Sequence, residues 1–178
     1  PFGSGRLLLR AQLLLAVELG AVVELHPREE LADLMRMCND NGVKPEFEVF
    51  GLGEMWLLSD LAEKGLVEPP FVMTIFFGRP GGCWSPATPE EFLNRTKSLI
   101  GGSSYITSVT DPNAINLHTI AIMQGGHVRV GTEDEPYLAP GVLGENVEHV
   151  ARVARLAKDL NREIASVDEA RAMLKIPS

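Results

Sequence analysis

Strand-like and helix-like segments alternate along most of this 178-residue chain, and this alternation constrains the fold more than any other feature. Short apolar or β-branched runs predict strands at 46–50, 71–77, 105–109 and 128–130. Helical spacing of apolar residues, with capping and glycine stop signals, predicts helices at 54–64, 89–99, 112–123 and 146–160. Because strands that alternate with helices over short connections build parallel sheets, we predict an α/β fold.

The two ends of the chain add three further predicted helices and one strand. The leucine-rich run at 7–19 lacks turn residues and predicts a buried helix, and Val22–Leu25 predicts a short strand. Pro27 opens a helix that ends at Asn41-Gly42, and a short terminal helix is predicted at 167–174.

Composition excludes several classes of partner. The net charge is −8 and no basic stripe is present, so a nucleic-acid partner is not expected. Charged and amide residues interrupt the apolar stretch at 7–25, so this stretch is not expected to span a membrane, and no membrane partner is predicted. Cys38 and Cys83 are far apart and form no CxxC pair, which predicts free thiols and a cytoplasmic location.

The motif GGHVRVGTED at residues 125–134 carries the most distinctive chemistry. Arg129 lies on the predicted strand, and Glu133 and Asp134 follow its C-terminal end. Charged groups there are costly to hold unless they pair, bind a metal or react. The C-terminal ends of strands are also where α/β proteins build active sites. A structural ion pair and an active site are both open interpretations.

Two more segments carry candidate site residues. Glu46 and Glu48 alternate with apolar residues, so both carboxylates face one side of their strand. Glu48 is nearer the C-terminal end and is favoured for the site, whereas Glu46 could instead pair with Lys44. The loop at 78–82 follows a strand and precedes a helix, so its backbone N–H groups could bind phosphate, or it could be a simple tight turn.

These motifs together resemble a known family. The GGHVRVG-x-ED string, GVKPEFEVF at 42–50 and GGCWSPATP at 81–89 are similar to segments of the β-keto acid cleavage enzymes, from about residue 27 to the C-terminus. The resemblance implies a zinc-dependent (β/α)8 barrel that forms homo-oligomers. It also implies a reaction in which a β-keto acid and acetyl-CoA give acetoacetate and a new CoA ester.

The resemblance also implies roles for individual residues. Asp134 and Arg129 match the family's proton-abstracting pair, and we expect Arg129 to depress the pKa of Asp134. Glu133 matches a zinc ligand. Glu48 is grouped with the catalytic residues for a different reason, its position near the C-terminal end of its strand. The glycine loop, through Arg79, Gly81 and Gly82, is expected to contact CoA.

Two departures from the family pattern limit what is carried over. The family's His-x-His zinc ligands have no counterpart in this sequence, so its metal site is incomplete within these residues. Residues 110–113 read Thr-Asp-Pro-Asn where the family has a Gly-Ile-Gly-Arg-like turn. The family's amino-keto acid substrate is therefore not assigned to this chain.

The length limits the domain organisation. A whole (β/α)8 barrel needs roughly 250 residues, so we expect residues 1–178 to be one barrel domain that lacks its N-terminal βα units. Two alternatives stay open: a CoA-independent, metal-dependent carbon–carbon lyase on the same barrel, and a non-catalytic barrel fragment that needs a partner.

Overall fold

The computed structural model describes residues 9–11, 28–78, 84–112 and 114–176. The strands are β1 (Leu9–Ala11), β2 (Glu46–Val49), β3 (Phe71–Gly78), β4 (Ser103–Thr110), β5 (His127–Val130), β6 (Tyr137–Ala139) and β7 (Val142–Leu143). The helices are α1 (Arg28–Asp40), α2 (Leu52–Glu63), α3 (Pro89–Thr96), α4 (Ala114–Met123), α5 (Asn146–Asp159) and α6 (Val167–Leu174). No described helix is long and apolar enough to cross a membrane.

The main sheet has five parallel strands in the order β1-β5-β4-β3-β2. From β2 to β5 each strand lies beside its predecessor, and one helix connects each successive pair. The predicted α/β fold with a parallel sheet is confirmed. The described sheet has β1 and β2 at its edges, so closure into an eight-stranded barrel stays a prediction.

The two faces of this sheet differ in chemistry because successive side chains point to opposite faces. One face carries the residues of the main hydrophobic core, including Val49, Ile75, Val109 and Val128, each at most 1% exposed. Burying a side chain of this size stabilises the fold by about 1.5–3 kcal/mol. The opposite face carries polar groups, with Glu48 in register with Thr74, and Ser108 beside Phe76 on the neighbouring strand.

Helix α3 fixes the C-terminal ends of β2 and β3. Thr88 caps its start by accepting a hydrogen bond from the backbone N–H of Glu91, as the sequence signal predicts. The fully buried Arg95 donates from Nη1 to the Phe76 carbonyl (2.6 Å) and from Nη2 to the Val49 carbonyl (2.7 Å). Burial lowers the pKa of Arg95 to about 10, so the guanidinium stays charged at neutral pH.

The helix predicted at 7–19 is wrong over Leu9–Ala11, which form β1 and pair in parallel with Val128–Val130. Intrinsic helix preference differs among ordinary residues by at most about 0.7 kcal/mol per residue. The backbone hydrogen bonds offered by the open edge of β5 outweigh a preference of that size. The rest of that predicted helix, and the strand predicted at Val22–Leu25, lie outside the described residues.

A short antiparallel hairpin, β6–β7, separates β5 from α5, and sequence reasoning missed it. Pro140-Gly141 is the signal that could have revealed it, since Gly141 adopts a positive φ of 76° in the turn. The guanidinium of Arg152 on α5 donates from Nη1 to the Leu138 carbonyl (2.7 Å). The hairpin is thereby attached to the helix that follows it.

Candidate active site

Arg129 and Asp134 meet at the C-terminal edge of the sheet. Arg129 lies on β5, and Asp134 lies in the turn that follows it. Nε of Arg129 donates to Oδ2 of Asp134 (3.0 Å), and Nη2 contacts Oδ1 (3.3 Å). This bidentate contact fixes the plane of the carboxylate as well as its position.

Two further carboxylates reach the same guanidinium. Nη2 of Arg129 lies 3.2 Å from Oε2 of Glu133, and Nη1 lies 3.7 Å from Oε1 of Glu48. The Glu48 and Glu133 side chains are 56% and 62% exposed, so these two ion pairs contribute little to stability. The structure therefore brings four of the predicted site residues together: Arg129 and the three carboxylates that contact it.

The pKa of Asp134 contradicts our expectation. Burial, with only 5% of the residue exposed, raises the pKa of this carboxyl above its ordinary value, although Arg129 acts to lower it. Glu133 adds a smaller upward contribution, and the Ser108 hydroxyl acts downward. Arg129 keeps the carboxylate oriented, but desolvation decides the direction of the pKa shift. A raised pKa makes Asp134 a better proton acceptor than a solvated aspartate.

The turn that carries Asp134 is fixed at both ends. The backbone N–H groups of Asp134 and Glu135 both donate to the Gly131 carbonyl, at 3.1 and 3.0 Å. Oδ1 of Asn146, the first residue of α5, accepts from the Thr132 backbone N–H (2.8 Å). Sequence reasoning placed Asn146 at the start of a helix but missed this contact, which no local sequence pattern signals.

Aromatic side chains form one wall beside Arg129. The guanidinium carbon of Arg129 lies 5.2 Å from the ring centroid of Phe76. Phe76 stacks on Phe50 (4.8 Å between centroids), and Trp84 contacts both rings, at 5.3 Å from Phe50 and 5.2 Å from Phe76. This cation–π contact holds the arginine over the sheet while its donors face the carboxylates.

Glu46 accepts a hydrogen bond from Thr74, whereas the sequence had also allowed an ion pair with Lys44. Its Oε1 accepts a hydrogen bond from the Thr74 hydroxyl, whereas Nζ of Lys44 donates to the Glu68 carbonyl (2.6 Å). Both glutamates of β2 are exposed, because β2 is an edge strand of the described sheet rather than an internal one.

Three predicted residues lie outside the described residues: Arg79, Gly81 and Gly82. Their predicted contact with CoA therefore stays a prediction. Cys38 is a free thiol, as predicted, whereas Cys83 lies outside the described residues.

The described residues do not form a complete metal site. Among them, no three His, Cys, Asp or Glu side chains are grouped so as to hold an ion. Glu133 is exposed and contacts Arg129. Its carboxylate could serve as one ligand of a zinc site, but further ligands would be needed to complete that site.

Comparison with known proteins agrees with the resemblance seen in the motifs. The family model described as beta-keto acid cleavage enzyme matches residues 11–176. A 3-keto-5-aminohexanoate cleavage enzyme of Acetoanaerobium sticklandii is 39% identical over 137 residues, covering 76% of this chain and 50% of that protein. One from Fusobacterium nucleatum is 36% identical over 158 residues, covering 88% of this chain and 57% of that protein. The chain thus spans about half the length of these relatives.

A solved structure shares the fold. The apo structure of ObcA superposes with a TM-score of 0.65 at 16% identity, covering 85% of this chain and 40% of that one. At that identity the likeness shows the α/β fold alone. The family follows from the match to the family model and from the relatives above 30% identity: this chain belongs to the beta-keto acid cleavage enzyme family.

Proposed function

We propose that the whole protein is a (β/α)8-barrel β-keto acid cleavage enzyme, of which this chain is the C-terminal part. It would condense a β-keto acid with acetyl-CoA and release acetoacetate and a new CoA ester. The observation that carries the proposal is the buried Asp134 carboxylate, held by two contacts from Arg129 at the C-terminal edge of a parallel sheet.

In the proposed first step, Asp134 removes a proton from the carbon between the ketone and the carboxylate of the β-keto acid. Its raised pKa favours accepting that proton, and Arg129 keeps one orientation of the carboxylate throughout. Glu48 contacts Nη1 of Arg129, and Glu133 contacts Nη2, which also contacts Asp134. The proposed proton transfer therefore needs only side chains of this chain: a base and the arginine that orients it.

The later steps follow from the carbanion. It attacks the thioester carbonyl of acetyl-CoA, and the CoA thiolate leaves. The thiolate then attacks the original ketone carbon, and the bond between this carbon and the former carbanion carbon breaks. A new CoA ester and the acetoacetate enolate result, and Asp134 returns its proton to the enolate. No proton is gained or lost over the cycle.

The zinc and CoA contacts are also proposals, and they rest on the resemblance to the family. Glu133 is the proposed zinc ligand, and Arg79, Gly81 and Gly82 are proposed to contact CoA. The described residues hold no complete set of metal ligands; a bound zinc would stabilise the enolate oxygen that forms when the proton is removed. A cytoplasmic location is proposed from the two widely separated cysteines, and a homo-oligomeric state is proposed from the resemblance.

The first test replaces the base. Asp134→Asn keeps the size of the side chain and removes its ability to accept a proton. We expect the rate of CoA-ester formation from a panel of β-keto acids to fall about 100-fold or more. Glu135→Gln is the matched control, since it removes one negative charge from the adjacent residue of the same loop.

The control should keep its rate within a few-fold of the wild type. A comparable rate for Asp134→Asn would refute the role of Asp134. Turnover of the β-keto acid without acetyl-CoA would instead favour the CoA-independent lyase.

A further inference from the structure

The aromatic wall formed by Phe50, Phe76 and Trp84 has no part in the proposed proton transfer. It lies beside Arg129, whose guanidinium carbon is 5.2 Å from the centroid of the Phe76 ring. Phe76 is buried, with 3% of the residue exposed, whereas Phe50 and Trp84 are only half-buried. Apolar surface left open beside a few converging polar groups is typical of the place where a small ligand binds.

Trp84 is held in place through the backbone of the residue that follows it. The Ser85 carbonyl accepts a hydrogen bond from the Gly78 backbone N–H (2.8 Å), and Ser85 forms a parallel bridge with Phe77. These contacts attach the segment to the C-terminal end of β3. The indole also contacts two rings, one from β3 and one that follows β2. The sheet therefore sets the position of Trp84, which makes its ring a fixed surface of the site.

The charges beside the wall favour an uncharged ligand group over a charged one. Three carboxylates contact Arg129, so a further carboxylate at the far end of a substrate would be repelled. Glu48 and Glu133 are already paired with Arg129 and are more than half exposed, so water and salt screen their attraction for an ammonium group. The wall itself offers apolar area, and the gain from covering apolar area grows with its size.

We propose that the aromatic wall binds the side chain of the β-keto acid, and that Trp84 selects substrates whose side chain is uncharged and apolar. The inference rests on the proposed function and adds the substrate class. When the carbon between the ketone and the carboxylate lies at Asp134, the ketone carbon is one bond away and its side chain follows directly. That side chain must lie against the groups around Arg129. Of the described groups that contact Arg129 there, the wall is apolar and the others are carboxylates.

The experiment uses the full-length protein and β-hydroxy acids, which lack the ketone and do not react. Calorimetry gives the Kd of β-hydroxypentanoate, β-hydroxyhexanoate and β-hydroxyheptanoate. Because each step buries one more methylene, we expect Kd to fall about fourfold per step. An acid of the same length that ends in a carboxylate or an ammonium group should bind about tenfold more weakly, since its charge would have to lose water against the rings.

Trp84→Ala should reduce the dependence on chain length to less than about twofold per methylene, and Trp84→Phe should restore most of it. Trp56→Ala is the matched control, since Trp56 lies on α2 and is 78% exposed, and it should keep the wild-type dependence. With the β-keto acids themselves, Trp84→Ala should raise KM for the longer acids and leave kcat for β-ketopentanoate within a few-fold. If Trp84→Ala does not fold, Trp84→Gln also removes the apolar ring, and the same loss is expected.

A Kd that does not change with chain length in the wild type would overturn the inference, as would an equal dependence in the wild type and Trp84→Ala. Tighter binding of the acid that ends in an ammonium group would also overturn it, because the wall would then be a cation site. A higher KM for acetyl-CoA in Trp84→Ala, with the chain-length dependence unchanged, would overturn it by assigning the ring to CoA. A dependence that requires Trp84, in a protein that forms no CoA ester, would support the inference about the wall and overturn the proposed function instead.

Discussion

We predict that His118 makes the stability of this protein sensitive to mild acid. It lies on α4 with only 4% of the residue exposed, and its Nε2 has no hydrogen-bond partner among the described residues. Burial lowers its pKa from 6.5 to about 4, and the positive charges of Arg152 and of protonated His149 act in the same direction. The imidazole is therefore neutral in the folded state at pH 7.

The sign of the pH effect follows from this shift. In the unfolded chain His118 takes up its proton near pH 6.5, whereas in the folded protein it does so only near pH 4. The contribution of His118 to the free energy of unfolding is therefore fully present above pH 6.5 and is lost as the pH falls toward 4. The difference between the two pKa values corresponds to about 3 kcal/mol, fully lost once the pH is below both.

The assay is urea unfolding across a pH series, comparing wild type with His118→Gln. Other titrating groups are common to both proteins, so their contributions cancel in the difference. Between pH 7.5 and pH 4 the wild type should lose about 3 kcal/mol more than the variant. Thr119→Val, a change to a non-titrating residue of the same helix, should follow the wild type. Parallel pH curves for wild type and His118→Gln would refute this reasoning.

Two further outcomes follow from the geometry of the sheet edge. Arg129→Lys cannot make the bidentate contact to Asp134, so we expect CoA-ester formation to fall about 100-fold or more, and an unchanged rate would contradict this role. Gly78→Ala should destabilise the protein by about 2 kcal/mol or more in urea unfolding, since φ is +91° and a Cβ would lie 2.4 Å from the Thr110 carbonyl oxygen. Gly53→Ala, where a Cβ meets open space within α2, should stabilise by about 0.5–1 kcal/mol, and a loss at Gly53 as large as at Gly78 would contradict the steric argument.

Sequence patterns were sufficient to place the elements that carry the site. The continuous apolar run of β3 predicted a strand covered on both faces, and residues 71–77 are all buried. Because parallel strands end at the same edge of a sheet, placing β2 and β5 also placed Glu48 near Arg129.

The features that the sequence could not supply depend on tertiary contacts. Pairing of Leu9–Ala11 with the edge of β5 overrode a helical pattern, and local propensity contains no information about that edge. The direction of the Asp134 pKa shift depends on how completely the carboxyl is buried, which its neighbours along the chain do not determine.

The central claim is that Asp134 removes the α-proton of a β-keto acid. Its most direct test is exchange of that proton in D2O without acetyl-CoA, followed by proton NMR of the substrate and corrected for the spontaneous rate. The account predicts that the full-length protein accelerates the exchange and that Asp134→Asn reduces the acceleration about 100-fold or more. Equal acceleration by the wild type and Asp134→Asn would contradict the assignment of Asp134 as the base.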